Sequence, residues 1–225
     1  IYSGRGLEFD GVTDYLDIGA ATIFSTGAWT AAFWVNVDAI GALTNFLSTS
    51  TGTATRNIGI QASGVFGIYA WADAGASWQV FDTTFSANTW YRVVISYDGS
   101  NLAFYLNGVA DGTGSLNASY DSLDIRYIGS RMGTNQHLSG KMSDVQLWDA
   151  AWTAADASYD YLNPESLALN GGGTSLTESN LKAWYPMQDG HRGQQSYILD
   201  GANTGLGDEK VTNGEFTGSK IVRSG

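Results

Sequence analysis

Residues 90–109, WYRVVISYDGSNLAFYLNGV, constrain the fold more than any other stretch of this chain. Val93, Ile95 and Tyr97 alternate with Val94 and Ser96, the two-residue period of an extended strand. Asp98-Gly99-Ser100-Asn101 interrupts the run, and Leu102, Phe104 and Leu106 resume it with Ala103 and Tyr105 between them. Asn107-Gly108 closes the segment. Asp-Gly and Asn-Gly mark tight turns because Gly and Asn tolerate positive φ. β-Branched and aromatic residues on both parities require cover on both faces, as in one layer of a sandwich. Such a hairpin belongs in the middle of an all-β domain.

Similar short runs recur on either side. Residues 7–18 predict a strand, a turn at Asp10-Gly11 and a second strand, and residues 28–37 alternate around Phe33, Val35 and Val37. Further strands are predicted over residues 43–50, 57–61, 65–72, 77–81, 124–128 and 141–148, with a polar loop at 129–140. This regular spacing indicates an all-β sandwich or jelly roll. One short helix is predicted from Thr153, an N-cap with Asp156 three residues on, to about Leu162, ahead of Asn163-Pro164. The character then changes. Residues 167–177 are loose and rich in Gly, Ser and Thr, 180–187 read as a short hydrophobic strand, and 188–225 are Gly-rich and polar. The expected organisation is one domain over residues 1–163 and a C-terminal extension over 164–225. The extension packs on the sandwich, lies along a neighbouring subunit of an assembly, or links to a further domain. Ile1 at the start fits either a removed leader or a piece of a longer chain.

Charge and cysteine content narrow the function classes. The net charge is −11 with no basic patch, which repels phosphate backbones and argues against nucleic-acid binding. The absence of cysteine excludes disulfides, thiolate metal sites and cysteine catalysis. No apolar run approaches the roughly 18 residues of a membrane-spanning helix.

Several stretches together resemble the LamG-like, concanavalin A-like jelly-roll family. LEFDGVTDYLDI is similar to its opening strand pair, AWTAAFWVNVD to its third strand, and residues 90–109 to its central hairpin. YIGSRMGTNQHLSGKMSDVQLWDAAWTAADASYDYL resembles its closing pattern of Ile-Gly, a loop, Gly140, Asp144, Leu-Trp and a short helix. The resemblance covers roughly residues 5–162 and implies a concanavalin A-like jelly-roll β-sandwich with one short helix. The segment from Asn180 to Asn203 resembles a strand that precedes the opening one in relatives; here it either begins a second repeat or supplies an edge strand from the far end. LKAWYPMQDG followed by VTNGEFTG is also similar to connecting segments of phage tail and other virion proteins. The family includes lectins, adhesion modules, virion proteins and appendages of enzymes, so the resemblance implies fold before function.

Glycosidases on this fold that cleave β-glucans carry Glu-x-Asp-x-x-Glu on one strand; here Glu8-Phe9-Asp10 is followed by Thr13 in the third place, and no catalytic residues are assigned. His137 and His191 lie on separate loops and make neither a zinc site nor a catalytic triad. Calcium is the expected cofactor, if any, because it takes hard oxygen ligands. Its candidate ligands are Asp10 and Asp14 of the opening strand pair and, by the resemblance, Asp144; residues 117–124 are a weaker candidate. The competing reading has Asp10 capping a turn and Asp144 accepting backbone hydrogen bonds. Sugar binding needs exposed aromatic rings beside polar groups. If Phe66, Ile68 and Ala70 face the core, Tyr69 and Trp71 point outward, and Trp78 with Gln79 follows across a short loop; these four are the candidate ligand-binding residues. Trp34, Trp90 and Trp148 match framework positions of the family, which implies that they lie in the core. The expectation is a non-catalytic module at an extracellular surface or virion exterior that adheres to a glycan or protein. An assembly subunit without glycan affinity and a glycoside hydrolase stand as alternatives.

Overall fold

Two antiparallel sheets face each other across a layer of aromatic and aliphatic side chains. The computed structural model describes residues 6–19, 27–49, 56–70, 77–116, 125–164, 166–170, 174–187, 197–198 and 214–217. The strands are β1 (Leu7–Asp10), β2 (Tyr15–Asp17), β3 (Trp29–Val37), β4 (Thr44–Ser48), β5 (Arg56–Ile60), β6 (Val65–Ala70), β7 (Ser77–Thr84) and β8 (Tyr91–Tyr97). They continue as β9 (Asn101–Leu106), β10 (Val109–Ser115), β11 (Tyr127–Ile128), β12 (Ser139–Trp148), β13 (Leu181–Tyr185), β14 (Tyr197–Ile198) and β15 (Gly214–Thr217). The first sheet runs β1-β12-β3-β8-β9-β10, with β13 also paired to β12; the second runs β14-β15-β2-β11-β4-β5-β6-β7. The predicted all-β sandwich is the observed one.

The inner faces supply the main core. Phe66 stacks on Phe85 at 4.6 Å and on Phe46 at 5.3 Å and meets Phe81 edge-on at 4.9 Å. Val93, Ile95 and Tyr97 of β8 and Phe104 of β9 enter the same core from the opposite sheet. Each fully buried side chain of this size contributes about 1.5–3 kcal/mol of transfer free energy. The outer face of the first sheet is covered as well. Val94, Ala32, Tyr105 and Trp148 pack there under Trp152, Ala157, Leu167 and Ala168. Helices α1 (Ala154–Leu162) and α2 (Ser166–Asn170) carry the last three. This second layer is why the 90–109 hairpin is apolar on both parities.

The helix begins as its sequence dictates. Thr153 Oγ1 accepts from the Asp156 amide at 3.3 Å, and Asp156 Oδ2 accepts from the Thr153 amide at 2.7 Å, a reciprocal capping box. A bulge between Ser143 and Gln146 of β12, with Asp144 at φ +48°, shifts the strand's alternation. Met142, Val145 and Leu147 therefore face the main core, while Gln146 and Trp148 turn to the helical layer.

The C-terminal segments complete the sheets. β1 pairs with the first half of β12 and β13 with the second half, Val145 opposite Tyr185 and Leu147 opposite Ala183. β15 pairs with β2, Glu215 opposite Asp17. β10 runs through VADGTGS, whose Gly and polar residues carry little strand signal; a bulge at Asp111-Gly112 and a mostly exposed face mark it as an edge. α2 likewise lies in the stretch read as loose. Among the described residues no helix is long and apolar enough to cross a membrane.

Candidate binding site on the second sheet

A row of side chains crosses the outer face of the second sheet. Ser48, Asn57, Tyr69 and Trp78 are directly opposed in successive pairs across β4, β5, β6 and β7. Their neighbours in sequence, Leu47, Ile58 and Ile68, point inward to the core, as strand alternation requires. The Tyr69 and Trp78 rings lie 5.1 Å apart, tilted at 38°, and both are half-buried. The predicted outward orientation of Tyr69 holds.

The loop between β11 and β12 roofs one end of this row. Ser48 Oγ donates to the Ser130 carbonyl at 2.8 Å and accepts from the Met132 amide at 3.0 Å. Arg131 closes the loop on itself by donating its amide to the Asn135 carbonyl at 2.8 Å. The Asn45 amide donates to the Gln136 carbonyl at 3.0 Å, and the Asn45 side-chain amide donates to Gln136 Oε1. Loop and sheet enclose a pocket of about 220 Å³ lined by Leu43, Asn45, Asn57, Tyr69, Trp78, Arg131 and Gln136. Asn57 is 3% exposed. Its Oδ1 and the Nε of Arg131 are shielded from solvent and have no hydrogen-bond partner among the described residues. A buried donor and a buried acceptor left open at one pocket are costly unless a ligand meets them.

Of the predicted ligand-binding set, the structure brings Tyr69 and Trp78 together. Gln79 does not join them. It sits opposite Ile68, on the inward parity, and its Oε1 accepts from the Ser115 amide of β10 at 3.2 Å. Trp71 lies outside the described residues. Asn45, Asn57, Arg131 and Gln136 were not anticipated. Asn57 shares the parity of Tyr69 across the ladder, a signal readable only once the register is known. The two loop residues carry no periodic signal.

The three aspartates proposed as calcium ligands do not converge. Asp10 caps its own turn: Oδ1 accepts from the amides of Val12, Thr13 and Asp14 at 2.8–3.0 Å, and Oδ2 from Thr13 Oγ1 at 3.1 Å. Partial burial acts to raise its pKa, but these four bonds outweigh it and hold the carboxyl at about 2. Asp14 returns the favour, accepting from the Asp10 amide at 3.1 Å. Asp10 lies opposite Ser139 of β12, whereas Asp144 is five residues further along, on the order of 15 Å away. Asp144 is instead buried with Arg92 and Asp160. Arg92 places Nε 2.6 Å and Nη2 3.0 Å from the Asp160 carboxylate and Nη1 3.1 Å from Asp144 Oδ2. Trp184 Nε1 and Gln146 Nε2 donate to Asp144 at 2.7 Å and 3.0 Å. No group of three His, Asp or Glu residues able to hold a metal occurs among the described residues. Residues 117–124 lie outside them. The three framework tryptophans divide: Trp34 and Trp148 are buried, but on the helical side of the first sheet, and Trp90 is only half-buried.

A laminin G-type family model, described as the concanavalin A-like lectin/glucanases superfamily, matches residues 10–158. The chain belongs to this superfamily. The matched span agrees with the resemblance read from the strand pairs and the closing pattern. None of the curated proteins matches the chain in sequence. Among solved structures, a provisionally named carbohydrate-binding protein from Bacteroides ovatus superposes with a TM-score of 0.66 at 16% identity, over 96% of this chain. The chain spans 58% of that protein's length. The carbohydrate-binding module (CBM40) of the Ruminococcus gnavus IT-sialidase, bound to α2,6 sialyllactose, superposes at 0.55 with 18% identity over 68% of this chain and 95% of the module. A heptameric SAP-like pentraxin from Limulus polyphemus does so at 0.55 with 17% identity, over 70% and 82%. These similarities concern the superfamily fold.

Proposed function

We propose that this chain is a non-catalytic glycan-binding module that holds a sugar residue in the pocket beside Tyr69 and Trp78. The observation that carries this reading is the pairing of two tilted, half-buried rings with an unsatisfied amide at the same pocket. A pyranose has an apolar C–H face for an aromatic ring and hydroxyls for amides. The volume is below the roughly 300–1,000 Å³ of pockets that take drug-sized ligands, which suits one sugar residue at a chain end. Among the described residues no carboxylate lines the pocket, whereas glycoside hydrolysis needs two flanking the scissile bond. Two of the superposing proteins carry carbohydrate-binding names, which supports the same reading. The proposed setting is an extracellular surface or the exterior of a virion.

A glycan array probed with the purified chain tests this. Binding is expected, and Tyr69→Ala and Trp78→Ala are each expected to weaken it about fivefold, the equivalent of about 1 kcal/mol of ring stacking. A blank array with a correctly folded protein would turn the reading toward an assembly subunit. The array is run with Ca²⁺ and with EDTA; loss of binding in EDTA would show that a metal ion takes part.

A further inference from the structure

Within the glycan-binding reading, on which this inference rests, we infer that the pocket selects a sugar bearing a carboxylate. Among the described residues Arg131 is the only charged side chain lining it, on a molecule of net charge −11. The four ion pairs among the described residues use Arg92, Arg126 and Lys182, and none uses Arg131. Its Nε is nevertheless shut away from water with no acceptor. An Nε–H in that state has lost its hydration without a replacement acceptor, and a planar carboxylate meets the guanidinium fork with two parallel bonds. Asn57 Oδ1 adds the complementary demand, since it needs a donor such as a hydroxyl. The site thus calls for an acceptor at Arg131, best met by an anion, and a donor at Asn57 within one small pocket. An acidic sugar carries both on a single ring. A neutral sugar hydroxyl can accept from Arg131 Nε but leaves the guanidinium charge without a counter-ion.

The loop holds Arg131 ready for this. Its backbone is tied to Asn135, and the flanking residues are tied to Ser48. Binding a carboxylate thus orders only the side chain, which keeps the entropic cost small.

The test is an array of neutral, carboxylated and sulfated terminal sugars, followed by calorimetric titration of the best carboxylated hit, its methyl ester and the Arg131→Gln chain. Carboxylated sugars are expected to lead, with esterification and Arg131→Gln each weakening binding about tenfold or more. Arg131→Gln is checked for an unchanged melting temperature; if it is unstable, the ester comparison on the native chain decides alone. Binding of neutral sugars that is sensitive to Tyr69→Ala and Trp78→Ala but indifferent to Arg131→Gln would overturn carboxylate selection and leave the glycan-binding reading standing. Preference for sulfated over carboxylated sugars would also overturn it. Absence of any glycan binding would remove both.

Discussion

Arg92 shows how a single side chain ties three elements together. Its guanidinium is fully buried between Asp160 of α1 and Asp144 of β12, and Trp184 of β13 closes the far side of Asp144. Removing one partner of a buried ion cluster leaves uncompensated charge. Arg92→Met is therefore expected to cost about 3–5 kcal/mol, measured by urea denaturation. If the cost is below about 1 kcal/mol, the cluster is not what locks the helix to the sheet. Asp10 works locally by comparison. Asp10→Ala removes the acceptor for three turn amides and is expected to lower stability by about 1 kcal/mol, while Asp10→Asn recovers part of it.

At the scale of elements, two features set the shape of the binding face. Gly59 and Gly67 oppose each other two positions from Asn57 and Tyr69, on the same face. A Cβ on Gly67 would stand 2.1 Å from the Gln79 carbonyl oxygen, and one on Gly59 2.3 Å from that of Thr44. Gly67→Ala must push β6 and β7 apart, so a loss of about 1–3 kcal/mol and weakened glycan binding are expected together. The second feature is the β11–β12 loop. Ser48→Ala cuts two of the bonds that seat it and is expected to weaken ligand binding more than it lowers the melting temperature. Equal effects on the two would mean the loop is not what positions Arg131. These contacts were not legible in the sequence. The polar loop at 129–140 could be recognised as a loop, but its resting place depends on Ser48 and Asn45, more than 80 residues earlier.

For the whole molecule, the two perturbed carboxyls act in opposite directions with pH. Asp10 titrates near 2 in the fold against an ordinary 3.8, so its contribution is present above about 4 and is lost as pH falls toward 2. Asp144 is the reverse. Complete burial pushes its carboxyl up to about 6, partly countered by Arg92 and reinforced by the nearby Asp160 carboxylate. Between its ordinary 3.8 and 6 the folded state binds a proton that the unfolded state has released, so stability falls as pH rises across that window. One guanidinium facing two carboxylates carries a surplus negative charge, and protonating Asp144 removes it. Stability is expected to peak on the acid side of neutrality, and Asp144→Asn to flatten the decline, followed by urea unfolding from pH 4 to pH 7. A flat profile in the parent chain would show that Asp144 does not titrate in this range.

The sequence by itself determined the class of fold and most of its strands, because alternation, turn pairs and the Thr153 capping box are local patterns with local physical causes. It also determined that the central hairpin is covered on both faces, since apolar residues on both parities leave no face for water. The tertiary structure alone decided which residues meet. The bulge at Asp144 reversed the parity of β12 and took that aspartate into the Arg92 cluster on the helical side of the sheet. Pairing register put Asn57 beside Tyr69 and turned Gln79 inward, and a distant loop brought Arg131 over them. Segments after residue 180 became edge strands of both sheets for the same reason: strand pairing joins whatever edges lie alongside, at any separation in the chain.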